Sequence, residues 1–136
     1  MDILDWTKSK ESFDGMPYRD AGGLSIAYGT HLPLTKREGD VLCSMRLQDK
    51  AGELDNALVG WRNAPPVIQF VLQAMAYQMG TDGVMEFHDM IHAYHRGDWQ
   101  RFQAEMLNSK WARVQTPVRA MELAKMLDPL INGEQS

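Results

Sequence analysis

The sequence predicts a mostly helical α+β fold, with a small β-containing lobe at about residues 13–34. A larger helical lobe is predicted at about residues 61–131, together with the N-terminal helix. Helix-breaking glycines and an alternating apolar pattern cluster early in the chain, whereas helical spacing of apolar residues dominates afterwards. The length of 136 residues suits one domain, 1–136. With 44% hydrophobic and 24% charged residues, the composition is that of an ordinary folded protein and excludes disorder as the main state.

The first part of the chain is predicted to form a short helix and then a small sheet. Asp2 can cap the helix, whose last turn falls near Glu11. Residues 20–23 contain two glycines and predict a turn. Larger apolar residues alternate with small ones over 24–28, which predicts a half-buried strand. Residues 13–30 therefore indicate a hairpin or a short sheet.

Helix signals follow one another through the rest of the chain. Thr35 and Glu38 form a capping box, in which each side chain bonds a free backbone N–H of the first turn. Pro65-Pro66 and Gly80 mark the start and end of an apolar, buried helix predicted over 67–79. A second helix is predicted from about Asp82 to His95 and is stopped by Gly97, and Asp98 caps the helix after it. Ser109 opens a short turn, and a last helix is predicted to begin at Thr116-Pro117 and to be limited by Pro129. Residues 133–136 are expected to form a frayed tail.

Large side chains at helical spacing predict the core. Trp61, Trp99 and Trp111 fit core packing better than a ligand box. Cys43 lies beside apolar residues, which favours a buried thiol over a reactive nucleophile. Because it is the one cysteine, no intramolecular disulfide can form, and packing must hold the domain together.

Charge and hydropathy exclude several classes of partner. The formal net charge is −4 and the basic residues are scattered, so nucleic acid is not an expected partner. No segment approaches the ~18 apolar residues that would span a bilayer, so no stable membrane association is expected. The acidic N-terminus lacks the basic and apolar regions of a signal peptide.

Two carboxylates near the predicted sheet could carry chemistry. Glu11 falls at the end of the first helix, and Asp20 falls in the turn before the strand. Two carboxyl groups in different environments are what glycoside hydrolysis needs, because one protonates the leaving oxygen and the other acts on the opposite face of the sugar. Both residue types are also ordinary at these positions, so the spacing alone leaves the structural interpretation open.

Three histidines form a second candidate site. His88, His92 and His95 follow helical spacing on one predicted helix, and an i, i+4 histidine pair can bind a metal ion. No matching ligand cluster occurs elsewhere in the sequence, and the set extends along the polar face of that helix. A solvated face is the favoured interpretation, and neither a metal nor a cofactor is expected.

Four segments, in order along the chain, carry a resemblance to a known family. They are Glu11…Tyr18-Arg19-Asp20…Gly29-Thr30-His31, Gln78-Met79-Gly80…Gly83-Val84…Phe87, Ser109-Lys110-Trp111, and Gln115-Thr116-Pro117-Val118-Arg119-Ala120. Together they resemble the phage-type lysozymes, the T-even phage endolysin family (glycoside hydrolase family 24). The resemblance covers about residues 3–127 and implies a lysozyme-like fold of two lobes.

The resemblance implies a role for each matching residue. Glu11 would be the general acid, and Asp20 would be the general base that activates water, which implies an inverting reaction. It further implies that Arg119 faces Glu11 and influences its ionisation, that Gln78 and Tyr77 line the floor of the sugar cleft, and that His31 is structural.

The chain departs from the family pattern at two places near the acid and the base. Ser12 follows Glu11 where the family usually has glycine. The family's water-positioning threonine has no identical counterpart. A one-residue deletion places Ser25 there, which keeps the hydroxyl and turns it away from apolar Leu24 and Ile26.

The resemblance implies an endolysin-type muramidase that hydrolyses the β-1,4 bond between N-acetylmuramic acid and N-acetylglucosamine in bacterial peptidoglycan. Asp20 favours hydrolysis over a lytic transglycosylase, which needs no base to activate water. We expect a monomer that acts on glycan strands and waits in the bacterial cytoplasm until a holin releases it to the cell wall. The alternatives are a catalytically weak or inactive lysozyme-like protein that binds glycan in a virion, and a helical interaction module.

Overall fold

A computed structural model of the chain describes residues 2–133. The helices are α1 (Ile3–Lys10), α2 (Lys36–Ala57), α3 (Pro66–Met79), α4 (Thr81–Met85), α5 (His88–Arg96), α6 (Trp99–Leu107), α7 (Pro117–Lys125) and α8 (Asp128–Ile131), and the strands are β1 (Asp14–Asp20), β2 (Gly23–Ala27) and β3 (Thr30–His31). A 3₁₀ turn at Trp61–Asn63 precedes α3, and a π-helical turn at Trp111–Gln115 precedes α7. The predicted class, mostly helical α+β with a small sheet near the N-terminus, is confirmed.

The chain divides into two compact units, with the boundary inside α2 between Cys43 and Ser44. The first unit holds α1 and the sheet, and the second holds the helices from α3 onward. Within residues 2–133, no helix is both long enough and apolar enough to cross a membrane.

The first unit begins with the predicted capped helix. The Asp2 side chain accepts the backbone N–H of Asp5 at 2.8 Å, which satisfies one free donor of the first turn of α1. The sheet that follows is antiparallel in the order β1-β2-β3, so β2 is its central strand. Ser25 on β2 is paired with Tyr18 on one side and His31 on the other.

The alternation along β2 is confirmed, and the buried side is the polar one. Ser25 is 0% exposed, whereas Leu24 is exposed and Ile26 is half-buried. A hydroxyl can be buried at low cost only when it is hydrogen bonded, and Ser25 contacts both Asp20 and His31. The sheet therefore encloses a polar contact at its centre.

The predicted capping box starts α2. The Glu38 carboxylate accepts the Thr35 N–H at 2.9 Å, and the Thr35 hydroxyl accepts the Glu38 N–H at 3.1 Å. The helix then runs for 22 residues, and its one buried residue is Leu54 near the C-terminal end. Cys43 lies in the exposed part, so the prediction of a buried thiol is wrong. Its apolar neighbours in sequence, Val41, Leu42 and Met45, are exposed as well.

The core of the second unit is formed by apolar side chains from all of its longer helices. Its largest fully buried members are Leu54, Leu58, Trp61, Ile68, Val71, Leu72, Met75, Val84, Met90, Phe102, Met106 and Leu127. Trp61 and Trp111 are buried and Trp99 is half-buried against this core, so all three tryptophans take part in core packing as predicted. Hydrophobic burial of this kind is the main stabilising contribution in a disulfide-free domain.

Two helix predictions in the second unit are wrong in detail. The single helix from about Asp82 to His95 is two helices, α4 and α5, separated by Glu86 and Phe87. The Glu86 N–H bonds the Gly83 and Val84 carbonyls and closes α4, and Phe87 packs edge-to-face with Trp111. This contact places the half-buried Phe87 ring against the core at the break between the two helices.

The central helix α3 begins and ends as predicted, at Pro66 and Gly80, but it is not buried on all sides. Phe70 and Tyr77 are exposed, while the opposite face carries the buried side chains Ile68, Val71, Leu72, Met75 and Ala76. An apolar sequence on every side therefore marked a helix correctly without giving its burial.

The chain after α5 follows most of the predicted stops and starts. Gly97 adopts a left-handed conformation at φ 66° and ends α5, and the Asp98 carboxylate accepts the Arg101 N–H at 3.1 Å to begin α6. Ser109 accepts the Ala112 N–H at 3.1 Å and opens the π-helical turn. Pro129 does not limit α7, which ends at Lys125.

The last predicted elements agree in part with the structure. Thr116 stands at the N-cap of α7, but its side chain bonds no backbone N–H, and its buried hydroxyl has no partner among residues 2–133. Pro129 lies inside the short helix α8 rather than ending α7. Of the predicted frayed tail, residues 134–136 lie outside the described residues.

Candidate active site

Glu11 is the residue that ends α1. Its backbone N–H donates to the Thr7 carbonyl at 3.0 Å, and its side chain is exposed. The carboxylate lies against Gly29 in the turn between β2 and β3, where a Cβ would stand 3.0 Å from Oε2 of Glu11. Gly29 also has a φ of 77°, so both its backbone conformation and this close approach favour glycine.

Aromatic contacts connect the end of α1 with the same turn. The ring of Tyr28, next to Gly29, stands 5.3 Å from the ring of Phe13 between their centroids. The Lys8 ammonium lies 5.3 Å from the centroid of the Tyr28 ring, within reach of a cation–π interaction. These contacts hold the segment that carries Glu11 beside the turn.

Asp20 ends β1 with both carboxylate oxygens hydrogen bonded. Oδ2 accepts the Ser25 hydroxyl at 2.6 Å, and Oδ1 accepts the Gly22 N–H at 2.9 Å. The Ser25 bond is the largest cause that lowers the pKa of Asp20, and the Gly22 N–H and the nearby His31 lower it further. Asp20 is exposed, so a carboxylate with a lowered pKa faces solvent at the end of β1.

His31 reaches the same hydroxyl from the other edge of β2. Its Nδ1 stands 3.0 Å from the Ser25 oxygen. The register explains this contact, because Ser25 and His31 are direct partners across the β2–β3 pair and their side chains share a face. Asp20 is two residues beyond Tyr18, the partner of Ser25 on β1, and reaches it diagonally.

Sequence reasoning selected Asp20, Ser25 and His31 but missed the contact of His31 with Ser25. The signal was present in the glycine of the β2–β3 turn, because a tight turn at residues 28–29 brings positions 25 and 31 opposite each other. The interpretation of His31 as merely structural overlooked that register. The contribution of Gly22, whose N–H bonds Asp20, was missed as well.

The order of these groups limits their chemistry. In a nucleophilic serine triad the histidine lies between serine and aspartate and removes the serine proton. Here Ser25 lies between Asp20 and His31, is fully buried, and donates its proton to the carboxylate. The arrangement therefore suits a carboxylate that accepts a proton or stabilises positive charge, and does not suit a serine nucleophile.

The other predicted site residues belong to the second unit. Gln78 accepts the indole N–H of Trp111 at 3.1 Å, which fixes its amide oxygen inside that unit. Tyr77 is exposed near the end of α3. Arg119 is exposed on α7 and borders a shallow pocket with Val118 and Glu122. Their roles in sugar binding, and the pairing of Arg119 with Glu11, stay predictions.

An open cavity in the second unit joins two of the segments that carry the family resemblance. Its volume is about 530 Å³. Met79 and Phe87 line it from the Gln-Met-Gly segment, and Ser109 and Trp111 line it from the other. The structure thus brings together residues that are about 30 positions apart in the sequence, and the wall combines an aromatic surface with polar groups.

The three histidines of α5 lie on its exposed face. His88, His92 and His95 are all exposed, and His88 stands 3.6 Å from the Glu86 carboxylate. Across residues 2–133, no group of three or more histidine, cysteine, aspartate or glutamate side chains is placed to hold a metal ion.

Comparison of the sequence with those of known proteins finds similarity to a phage protein named as a peptidoglycan hydrolase. The chain is similar to peptidoglycan hydrolase gp36 of Pseudomonas phage phiKMV, with 29% identity over 142 aligned positions. The alignment covers 94% of this chain but 16% of the relative, so the chain spans about a sixth of the protein it matches. No family model matches the chain.

Proposed function

We propose that this chain is an endolysin-type muramidase of a phage, which hydrolyses the β-1,4 bond between N-acetylmuramic acid and N-acetylglucosamine in peptidoglycan. The observation that carries the proposal is the exposed Asp20 carboxylate, held ionised by the buried Ser25 hydroxyl in the same unit as Glu11. The relative of similar sequence is a phage peptidoglycan hydrolase. The family resemblance supplies the finer choice of bond.

The proposed reaction divides the work between the two carboxyl groups. Glu11 donates its proton to the glycosidic oxygen as the bond from that oxygen to the anomeric carbon breaks. Asp20 accepts a proton from a water molecule whose oxygen attacks the anomeric carbon from the opposite face. The product therefore has inverted configuration at the anomeric carbon. The new bond from this carbon to the water oxygen replaces its bond to the glycosidic oxygen. The lowered pKa of Asp20 keeps the carboxylate in the ionised form that can accept a proton. The same lowered pKa makes it a weaker base.

The second unit supplies the proposed contacts to the glycan strand. Gln78 and Tyr77 are proposed to bind sugar, and Arg119 is proposed to be a supporting residue, as the family resemblance implies. The exposed position of Tyr77 allows its ring to stack on a sugar, and the fixed amide of Gln78 still has an N–H₂ to donate. Their substitution should raise KM more than it lowers kcat, since they act in binding.

The test is digestion of purified Gram-negative sacculi, followed by borohydride reduction of the new ends. A muramidase leaves reduced muramic acid, a glucosaminidase leaves reduced glucosamine, a lytic transglycosylase leaves an anhydro end, and an amidase leaves no reducible sugar. We expect reduced muramic acid from the unaltered chain. Glu11→Gln and Asp20→Asn should each lower its rate of release by about 10²-fold or more.

A matched control separates chemistry from the loss of any negative charge. Asp14 is an exposed carboxylate on the same strand as Asp20 and bonds the Met16 N–H at 3.0 Å. Asp14→Asn should retain the rate of the unaltered chain. Binding of chitooligosaccharide with no release of reducing ends would instead favour the glycan-binding alternative, and equal rates in all three variants would overturn the assignment of the two carboxylates.

A further inference from the structure

The Ser25 hydroxyl has one proton and two neighbours that could take it. Asp20 Oδ2 lies at 2.6 Å and His31 Nδ1 at 3.0 Å. An ionised carboxylate has no proton to give, so the short contact with Asp20 requires Ser25 to donate there. The Ser25 oxygen then has only lone pairs for His31, and the contact with His31 is a hydrogen bond only if Nδ1 carries a proton.

We propose that His31 is a positioning residue, which keeps a proton on Nδ1 and thereby directs the Ser25 hydroxyl to Asp20. This inference rests on the proposed function, because its consequence is the orientation of the proposed base. If the neutral ring carried its proton on Nε2 instead, Nδ1 would be an acceptor. The single proton of Ser25 would then be shared between Nδ1 and Asp20, and the carboxylate would lose its fixed orientation.

The surroundings of the ring support this arrangement. A Cβ added at Gly22 would stand 3.1 Å from Cε1 of His31, so the ring packs closely over that glycine. The N–H of the same residue bonds the other oxygen of Asp20. The turn at Gly22 therefore contacts both His31 and Asp20, the two residues on either side of Ser25. Of the groups that face His31, Asp20 on β1 is charged and Ser25 on β2 is neutral.

The hydrogen bonds of Ser25 also give it a role that differs from the one the family resemblance implies. Its proton is used by Asp20, one lone pair faces His31, and the side chain is 0% exposed. It has no free proton to order a water molecule. Ser25 is accordingly a positioning residue that acts through Asp20, and not a residue that touches the attacking water.

The first test reads the tautomer directly and does not depend on activity. The ¹⁵N chemical shifts of a neutral imidazole distinguish a protonated nitrogen from an unprotonated one. We expect a protonated Nδ1 in neutral His31, whereas the exposed His92 should show the Nε2–H form that free imidazole side chains favour. A neutral His31 with its proton on Nε2 would overturn the proposal and leave the proposed function intact.

The second test uses two substitutions of different shape. An asparagine amide can place an N–H close to the position of Nδ1, whereas alanine has no donor. His31→Ala should lower kcat on peptidoglycan near neutral pH by about 5- to 10-fold with little change in KM, and His31→Asn should restore most of the lost rate. Equal losses in the two variants would contradict the proposal.

A double-mutant cycle shows whether His31 acts through Ser25. Ser25→Ala removes the hydroxyl through which His31 is proposed to act. The variant with both Ser25→Ala and His31→Ala should therefore be no slower than Ser25→Ala alone. If the losses of rate in the two single variants multiply in the double variant, His31 does not act through Ser25 and the proposal is overturned. The ¹³C shift of the Asp20 carboxylate tests the Ser25–Asp20 bond without turnover, since Ser25→Ala should raise the pKa of Asp20 whether or not the variant is active.

Discussion

The two units of this chain are stabilised in different ways. Among residues 44–133 of the second unit, 21 buried apolar residues form one cluster. Among residues 2–43 of the first unit, the one buried residue is Ser25. The first unit instead holds its shape by hydrogen bonds and by aromatic contacts at its surface, such as those of Asp20 and Tyr28. Nearly all apolar burial therefore lies outside the unit that carries the candidate acid and base.

The difference separates stability from chemistry. A polar side chain in a buried apolar cluster costs free energy unless it is hydrogen bonded, whereas an acid and a base must reach both solvent and substrate. The first unit meets that requirement because both carboxylates are exposed, and short hydrogen bonds fix the carboxylate of Asp20. Substitutions in the buried cluster of the second unit should therefore act mainly on the free energy of unfolding, and those around the two carboxylates of the first unit mainly on rate.

The largest expected effect compares two phenylalanines. Phe102 is 0% exposed on α6, so Phe102→Ala should lower the free energy of unfolding by about 3–5 kcal/mol through lost burial and a cavity. Phe13 is 63% exposed, and Phe13→Ala should change it by no more than about 0.5–1 kcal/mol. Urea denaturation followed by circular dichroism measures both, and similar losses would contradict the contrast between the units.

The next effect compares two glycines of similar backbone conformation. Gly97 has a φ of 66° and Gly29 a φ of 77°, so alanine at either position should cost about 1–2 kcal/mol of stability. Only at Gly29 would the new Cβ approach a carboxylate, Oε2 of Glu11 at 3.0 Å. Gly29→Ala should lower the rate of peptidoglycan hydrolysis by roughly 10- to 100-fold, and Gly97→Ala should leave the rate unchanged. The sacculus assay together with thermal unfolding distinguishes the two outcomes.

The smallest effect compares two hydroxyl–carboxylate bonds, one in each unit. Thr81 donates to Glu53 at 2.7 Å and lowers its pKa, as Ser25 does for Asp20. A folded-state pKa below the unfolded value stabilises the fold above the unfolded pKa, and this stabilisation is lost as pH falls through the folded one. Thr81→Val should therefore lower Tm most above pH 4.5, the ordinary pKa of Glu53, with the deficit shrinking in acid.

Ser25→Ala should show the same trend at lower pH, since the ordinary pKa of Asp20 is 3.8. It should also slow hydrolysis, which Thr81→Val should not. Glu53→Gln supplies the control, because without the carboxylate the pH dependence from this pair disappears. A Tm deficit of constant size at every pH would show that the lost hydroxyl matters for packing alone.

Local signals predicted the element boundaries well. The capping box of Thr35 and Glu38, the left-handed glycine at Gly97 and the cap at Asp98 all act over three or four residues, so the sequence contains their whole physical cause. The break between α4 and α5 was missed because no glycine or proline marks it. It depends on packing of Phe87 against Trp111, which is 24 residues away in the sequence.

Burial was harder to predict than secondary structure, because it depends on which elements meet. Cys43 and Phe70 have apolar neighbours in sequence and are exposed, whereas the polar Ser25 is fully buried. For the candidate site, sequence reasoning selected Asp20 and Ser25 but not the contact that links Ser25 to His31. That contact depends on the register of two strand pairs, which a single sequence specifies only weakly.

The exposed thiol has a practical consequence for spectroscopy. Cys43 is the one cysteine of the chain and lies on the uncovered part of α2. A maleimide dye or a nitroxide therefore attaches to a single position without any prior substitution. That position is the last residue of the first unit, so the label stands beside the boundary within a continuous helix. The native chain thus provides its own reporter site for fluorescence or electron paramagnetic resonance at the junction of its two units.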